Sequence, residues 1–134
     1  MTTLLLIAKI VWALPYTLLG LTIGVLGLAT GGRARCRGRV VEFYEGGVKW
    51  FVQRLPQGEF TLAMTLGHTI LGQTEAALDI AYEHEMAHVR QYERWGPLMG
   101  PAYLFASLYM HLTGRHAYRD NPFEREAYGH DSGE

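Results

Sequence analysis

Two histidines and a glutamate in the run His84-Glu85-Met86-Ala87-His88 are the residues of this chain best suited to chemistry. Residues four apart on a helix lie about one turn apart on the same face, so both imidazoles can reach one metal ion. Zinc accepts histidine nitrogens at about 2.0–2.1 Å. Glu85 stands beside the first histidine, where it can take a proton from a metal-activated water without being a ligand. The run predicts a zinc-dependent hydrolase, in the first place a peptidase; two packed histidines without metal are the alternative.

A zinc site with only two protein ligands would be unusual, so a third is expected. Its best source is the segment that begins at Asn121, a good N-cap, and continues with Pro122 in the favoured first helical position. Glu124 falls at the third helical position, where it can instead form a capping pair with Asn121. That alternative leaves Glu126 as the free carboxylate. From the residues alone, Glu124 and Glu126 both stay open as the third ligand.

At this point the residues carry a resemblance to a known family. His84-Glu85-x-x-His88 followed by Glu124 resembles the gluzincins, zinc peptidases with a His-Glu-x-x-His helix and a Glu from a second helix. In membrane-associated members related to the CAAX-processing peptidases, the ligand Glu commonly opens a Glu-x-x-Ala-Asp motif. Glu124 matches its first position and Ala127 its small residue, while Tyr128 stands where those proteins have an acid. The resemblance implies zinc held by His84, His88 and Glu124.

A second resemblance concerns the layout of the whole chain. It is similar to small bacterial membrane-anchored proteins that carry a His-Val-Arg-Gln-Tyr-Glu run and an Asn-Pro-Phe-Glu run. Here those runs read His88-Val89-Arg90-Gln91-Tyr92-Glu93 and Asn121-Pro122-Phe123-Glu124. The two motifs cover a small part of the chain, and elsewhere the resemblance is one of layout.

Peptide hydrolysis through a metal-activated water also needs a donor for the developing oxyanion besides the metal. His116, Tyr118 and Tyr128 lie near Glu124 in the sequence and are the candidates. We predict His116 and Tyr118 as catalytic residues beside Glu85, which would pass its proton to the leaving amine.

The N-terminal segment is the most distinctive block of the composition. Residues 4–29 carry one charge, Lys9, and are long enough for a helix of about 20 apolar residues to span a bilayer. Pro15 and several glycines favour a kinked or packed helix. We predict a membrane anchor in residues 1–32; an in-plane segment, a signal peptide and a buried soluble helix are the alternatives.

Four arginines follow at once, at positions 33, 35, 37 and 39. Beside an apolar span, such a cluster is a positive-inside signal and attracts anionic lipid headgroups. It favours a single-pass protein of the cell inner membrane with its catalytic domain in the cytoplasm and membrane lipid as a partner. The alternative is the solvated start of a β-strand.

Strand and turn patterns follow the arginines. Val40–Tyr44 and Val48–Val52 are β-rich runs joined across Glu45-Gly46-Gly47, which is typical of a hairpin. Residues 56–58 predict a second turn, and residues 60–71 a third strand region broken by a glycine.

His68 lies in that third strand region. It can face the metal site, although a histidine on a strand is more often structural. Its strand could pair with an extended substrate, as gluzincin edge strands do.

Helices are predicted for most of the rest of the chain. Thr74 is a fair N-cap for a helix that begins at Glu75 and stops at Gly96-Pro97. Its histidines share a face with Ala77 and Ala81, which predicts that they point into an enclosed site. Leu98–Leu112 predicts an apolar helix too short to cross a bilayer, either a core helix or a segment resting on the membrane.

Composition sets the remaining bounds. With 134 residues, a net charge of −1 and ordinary aromatic content, the chain has room for one domain and shows no sign of nucleic-acid binding. Cys36 is the single cysteine, which excludes an intrachain disulfide and a cysteine-based zinc cluster.

These observations predict an α+β fold. A minimal zincin-like domain in residues 33–134, with a small antiparallel sheet, the active-site helix and two further helices, follows a transmembrane or membrane-associated helix. The predicted function is a membrane-anchored zinc metallopeptidase acting on a peptide or protein substrate. Little chain is left for a specificity cleft, which favours an open site or help from a membrane-protein partner. The alternatives are a catalytically inactive zinc-binding scaffold and a metal-free membrane interaction module.

Overall fold

A computed structural model describes residues 2–55, 61–116 and 121–131, the last four of these by their backbone alone. The elements in chain order are α1 (Thr3–Trp12), α2 (Leu14–Leu28), β1 (Arg33–Arg37), β2 (Val40–Tyr44), α3 (Gly46–Val52), β3 (Ala63–Leu66), β4 (Thr69–Gly72), α4 (Glu75–Trp95), α5 (Met99–Leu112) and α6 (Pro122–Asp131). A 3-10 turn, Gly96–Leu98, joins α4 to α5. The fold is therefore α+β, as predicted.

The strands form one mixed sheet in the order β1-β2-β4-β3. Its outer pairs, β1 with β2 and β3 with β4, are antiparallel, but β2 and β4 run parallel, with Val41 opposite Thr69 and Phe43 opposite Leu71. The prediction of an antiparallel sheet is therefore wrong at its centre. Parallel strands need a crossover connection, and here α3 and β3 lie between β2 and β4 in the chain.

Helix α3 stands where the second hairpin strand was predicted. Glu45 and Gly46 have φ angles of 62° and 53°, and they turn the chain out of the sheet. Val48 and Val52, one helical turn apart, are both fully buried. The edge of β2 that a hairpin strand would have used is taken by β4, which lies parallel to it. The turn predicted at residues 56–58 lies outside the described residues.

Helices cover both faces of the sheet. Helix α4 packs on one face, in a core made of Val40, Ala63, Ile70, Leu78, Ala81, Met86 and Val89. Helices α2 and α3 cover the other, in a core made of Phe43, Val48, Val52, Leu66 and Leu71.

Small residues allow α2 to lie close against the sheet. Gly20, Gly24 and Gly27 are buried on one face of α2. A Cβ atom at Gly24 would overlap the ring of Phe43, and one at Gly27 would overlap Val48. The glycines predicted to kink or pack the helix therefore pack it: Gly20 and Gly24 lie against the sheet, and Gly27 lies against α3.

The predicted N-terminal helix is broken at Ala13, where α1 and α2 bend by 71°. Within the described ranges, neither of them, nor any other single helix, has the length and apolarity to cross a membrane. Only α1 and α2 taken together as a bent pair meet that requirement. The membrane anchor predicted in residues 1–32 is therefore not supported by a single spanning helix, because the segment bends at Ala13 and α2 packs on the sheet.

The arginine cluster forms β1 and the turn that follows it. Arg35 lies within 2.9 Å of carboxylate oxygens of Glu42, Glu75 and Asp79. Arg37 pairs with Asp79 as well. The cluster therefore begins a β-strand, the alternative to the topological interpretation, and much of its charge is paired within the protein.

The three later helices fall where they were predicted. Thr74 caps α4 by accepting a hydrogen bond from the amide of Ala77 at 3.0 Å. The helix ends at Trp95, and Gly96 follows with a φ of 56°, a conformation that favours glycine. Helix α5 begins at Met99, one residue later than predicted, and α6 begins at Pro122.

Candidate metal centre

Helix α4 presents the two histidines into the interior. His84 and His88 are both buried, and their ring centroids are 5.0 Å apart. Ala77 and Ala81, on the same face two turns and one turn earlier, are buried as well. The prediction of an inward-facing histidine pair is confirmed.

The first turn of α6 brings Glu124 to the histidines. Asn121 is fully buried, and its side-chain oxygen accepts a hydrogen bond from the amide of Phe123 at 2.9 Å, which starts the helix. The amide nitrogen of Asn121 donates to the carbonyl oxygen of Tyr103 and to Ser107, so the cap also fastens α6 to α5. The position of Glu124 is thus set by contacts with two helices.

Three ligand atoms converge at one point. Oε1 of Glu124 lies 3.2 Å from Nε2 of His84 and 3.0 Å from Nε2 of His88. All three atoms lie within 4.8 Å of one another. Tetrahedral zinc with bonds of about 2.0–2.1 Å separates its ligands by about 3.3 Å. Two imidazoles and a carboxylate are also a ligand set of catalytic zinc sites, so the residues fit a metal ion of this kind.

Hydrogen bonds hold Glu124 against the two histidines. Burial by itself would lower the pKa of His88, but its hydrogen bond to Glu124 and the nearby carboxylates raise that pKa to about 9. Burial would raise the pKa of Glu124, yet hydrogen bonds from His84, His88 and Tyr103 hold it at about 2. A buried carboxylate facing imidazoles is therefore negatively charged and ready for a cation.

Gln91 fixes the orientation of His88. Its side-chain nitrogen donates to the carbonyl oxygen of Phe123 at 2.9 Å and to Glu126 at 2.8 Å, which uses both of its hydrogens. Its oxygen therefore faces Nδ1 of His88, 2.9 Å away. Nδ1 must carry the hydrogen, which directs Nε2 to the ligand position. Gln91 thus gives His88 the support that an acid at position 128 would be expected to give a ligand histidine.

Glu85 lies beside the ligand cluster without joining it. Its nearer carboxylate oxygen is 4.0 Å from Nε2 of His84. The hydroxyl of Thr65 on β3 is 2.8 Å from the other oxygen. Burial raises the pKa of Glu85 above its usual value, although the neighbouring histidines and Thr65 oppose the shift. A carboxylate whose pKa is raised toward neutrality suits a general base.

Tyr103 of α5 reaches the cluster from the opposite side. Its hydroxyl donates to Oε2 of Glu124 at 2.5 Å. Burial raises the pKa of Tyr103, and the charge of Glu124 raises it further, so the phenol keeps its proton. The phenol therefore keeps its one hydrogen and donates it to Glu124.

A pocket of about 320 Å³ opens onto these groups. It is lined by Leu55, Thr61, Ala63, Met64, Thr65, His84, Glu85, His88, Tyr92, Met99, Tyr103 and Glu124. Most of the lining is apolar, and its polar groups are gathered at the ligand cluster. Such a cavity is typical of a site that holds and orients a ligand.

The other residues predicted for the site have different positions. His116 is exposed, and the described lining of the pocket does not include it. Tyr118 and the side chain of Tyr128 lie outside the described residues, so the catalytic roles of His116 and Tyr118 stay predictions. Glu126 accepts hydrogen bonds from Gln91 and Arg94 and does not join the ligand cluster.

His68 belongs to a separate cluster at the far end of α4. Its Nε2 donates to Glu93 at 2.8 Å, and Arg39 donates to both oxygens of the same carboxylate. The backbone amide of His68 donates to the hydroxyl of Thr17 on α2. His68 therefore links three parts of the fold, which are α2, α4 and its own turn between β3 and β4. This is a structural role, and His68 does not face the candidate metal site.

Sequence reasoning missed Gln91, Tyr103 and Thr65. Gln91 follows His88 by three residues, a spacing that places it one turn further along the same helix, so its role had a local signal. Tyr103 and Thr65 lie on other elements, and only the packing of α5 and β3 against α4 brings them to the site.

Comparison with family models, curated proteins and solved structures finds no match to this chain. The chemistry of the site therefore rests on its own geometry.

Proposed function

We propose that this protein is a zinc-dependent peptidase of zincin-like fold. The observation that carries the proposal is the convergence of His84, His88 and Glu124 on one point, with Glu85 beside them and an open pocket in front. An inert metal site has no need of a separate buried carboxylate and an access route.

The residues would divide the work as follows. His84, His88 and Glu124 would hold zinc, which when bound supplies an activated water and polarises the substrate carbonyl. Glu85, held by Thr65, accepts the proton of the attacking water and delivers it to the leaving amine. Tyr103 has one hydroxyl hydrogen, which it donates to Glu124; once Glu124 held zinc, that hydrogen would turn to the oxygen on which negative charge develops. Its place in the pocket makes it a better supported donor than His116 or Tyr118.

A polypeptide substrate is supported by the position of β3. This strand is at the edge of the sheet, and Ala63, Met64 and Thr65 line the pocket. An extended peptide can add to such an edge through backbone hydrogen bonds, which would carry one of its peptide bonds past Glu85. The sequence predicts that the strand region containing His68 pairs with an extended substrate. We propose β3, the edge strand that leads to the turn with His68, as the strand that does so.

The test combines zinc content with cleavage of a fluorogenic peptide library. The full chain, purified from zinc-replete cells, should carry one zinc ion and cleave members of the library. Glu85→Gln should retain zinc and lose cleavage, because the variant lacks the base but keeps the ligands. His84→Ala and Glu124→Ala should lose zinc, whereas the matched control Glu126→Ala should retain it.

The outcomes separate the alternatives. Zinc well below one ion per wild-type chain would contradict the metal site and leave a metal-free interaction module. Full zinc occupancy without cleavage of any peptide would indicate the inactive zinc-binding scaffold. Zinc loss in Glu126→Ala and not in Glu124→Ala would show that the wrong glutamate had been chosen.

A further inference from the structure

The outward faces of α1, α2 and α5 form an exposed apolar surface, here called the apolar face. Large side chains on it are strongly exposed, with Leu4 at 78%, Phe105 at 72% and Leu112 at 73%. Its other large members are Leu5, Ile7, Val11, Trp12, Leu14, Leu18, Leu19, Val25, Leu26, Leu28, Leu104, Leu108 and Tyr109. Soluble proteins rarely expose apolar side chains in such number on adjoining helices, so the surface indicates a partner.

The orientation of α1 also indicates a partner for the apolar face. Lys9, its one charged residue, is half-buried and lines a second pocket with Arg90, Glu93 and Arg94 of α4 and Glu126 of α6. Leu4, Ile7 and Val11 point away from the protein. A surface helix of a soluble protein shows the reverse arrangement, with charge outward and apolar side chains inward.

The helices that form the apolar face lack acidic side chains. The sequence contains no Asp or Glu before Glu42, and none between Glu93 and Asp120, so the segments that form α1, α2 and α5 have no acidic side chain. Arg33 follows α2, and Arg115 follows α5. Flanking arginines would repel those of a second copy, whereas they attract anionic lipid headgroups.

We propose that the apolar face is inserted into one leaflet of an anionic phospholipid bilayer. The face offers a bilayer what it needs, which is apolar area with a basic border and the indole of Trp12 at its rim. Protein interfaces, in contrast, carry about one hydrogen bond per 100–200 Å² and a polar rim. The outward side chains of α1, α2 and α5 offer few groups that could make such hydrogen bonds.

The packing of α2 restricts the chain to a single leaflet. Gly20, Gly24 and Gly27 hold the length of α2 against the sheet. A helix of 15 residues is about 22 Å long, less than the hydrocarbon core of about 30 Å. To cross the bilayer, α2 would have to draw the sheet and its paired arginines into hydrocarbon or separate from them. When α2 lies in the membrane interface, neither of these changes is needed.

Helix α5 connects the bilayer to the metal centre. Its inner side carries Met99 and Tyr103, which line the pocket, while Leu104 and Phe105 point outward from the next positions along the helix. The pocket is therefore one helix away from the membrane surface. Resting on the proposed peptidase function, this position makes peptide segments next to a membrane the substrate class; the lipid contact itself does not depend on that function.

Sedimentation with vesicles tests the lipid contact without any measurement of hydrolysis. The full chain, diluted from detergent, should sediment with phosphatidylcholine vesicles and more strongly when they contain phosphatidylglycerol. Phe105→Glu should weaken vesicle binding at least about tenfold, because a charge replaces an inserted ring. Ile80→Glu is the matched control: Ile80 is 70% exposed on α4 beside Asp79, away from the apolar face, and the change should leave binding intact.

Thiol labelling then separates insertion in one leaflet from a membrane crossing. Cys36, exposed after α2, and a cysteine placed by Thr3→Cys in a Cys36→Ser protein should both react with a membrane-impermeant maleimide added outside the vesicles. Protection of the residue 3 thiol alone would show a crossing and overturn the single-leaflet proposal. Wild type that stays in the supernatant as a dimer, which Phe105→Glu dissociates, would show that a second copy covers the face.

Discussion

Gln91 shows how much of this site depends on one side chain that binds neither metal nor substrate. It holds His88 in the ligand tautomer and joins α4 to α6 through the carbonyl oxygen of Phe123. Partners of ligand histidines commonly change metal affinity by about 10–100-fold. Gln91 therefore helps to hold the two ligand-bearing helices together, next to one of the ligands.

Replacing this residue tests that role. Gln91→Leu should weaken zinc binding by about 10–100-fold, because His88 loses the acceptor that fixes its ring. Competition with a chromogenic chelator measures the affinity, and thermal unfolding confirms that the variant is folded. The control is Arg125→Leu, an exposed change on α6. Equal zinc affinity of Gln91→Leu and wild type would show that Glu124 and helix packing position His88 without it.

Tyr103 is the residue with which the proposed mechanism can be tested apart from metal binding. At saturating zinc, Tyr103→Phe should reduce kcat about a hundredfold, because the variant lacks the donor for the developing oxyanion. Tyr109→Phe, an exposed change on the same helix, should leave kcat unchanged. Steady-state kinetics with a cleaved peptide gives both values. If Tyr103→Phe keeps the wild-type kcat at saturating zinc and loses activity only at lower zinc, Tyr103 supports Glu124 and is not the oxyanion donor.

At the scale of elements, the cluster of Glu93, His68 and Arg39 ties α4 to the sheet. Burial would raise the pKa of Glu93, but hydrogen bonds from His68 and Arg39 lower it from 4.5 to about 2. A carboxyl group whose pKa is lower in the folded state stabilises the protein above its unfolded pKa. That stability is lost as the pH falls through the folded value.

The lowered pKa of Glu93 predicts how the free energy of unfolding depends on pH. The free energy of unfolding should decline between pH 4.5 and pH 2, and Glu93→Gln should have a smaller slope in that window. Glu124, whose pKa is also about 2, keeps part of the slope in the variant. Denaturant unfolding at several pH values measures the slope of the unfolding free energy against pH, with Glu126→Gln as the control. Identical slopes in Glu93→Gln and wild type would contradict the assigned pairing.

At the scale of the whole molecule, the candidate metal centre joins two helices that are far apart in the chain. A ligand that binds only the folded state raises its stability by about 4 kcal/mol at a thousand times its Kd. Zinc at that excess should therefore raise Tm by about 10 °C, and a chelator should reverse the change. Calorimetry in detergent measures both. His84→Ala should show neither shift, and a shift that persists in this variant would place the zinc elsewhere.

Local patterns were enough to predict several parts of this molecule. The i and i+4 histidines, the Thr74 cap and the Asn121-Pro122 start all depend on contacts within a few residues, and the structure confirms them. The choice of Glu124 over Glu126, which was made on the resemblance of its motif, agrees with the candidate metal group.

Long-range contacts decided the rest. Residues 48–52 have strand-like composition, yet they form α3, because β4 occupies the adjoining edge of β2 and α2 offers a glycine face for Val48. The arginines after α2 pair with Glu42 and Asp79, which the sequence did not predict. β-Strand pairing and ion pairs between distant segments have no local signature, since the partners meet only after the chain has folded.

The sequence by itself thus determined the facing histidine pair and the helix that carries it, because helical periodicity and capping depend on neighbouring residues. The choice of Glu124 came from the resemblance of its motif. Only the tertiary structure decided that Gln91, Tyr103 and Thr65 complete the site, and that the N-terminal apolar segment bends at Ala13 to pack on the sheet. Those features depend on which surfaces bury one another, a property of the whole chain rather than of any stretch within it.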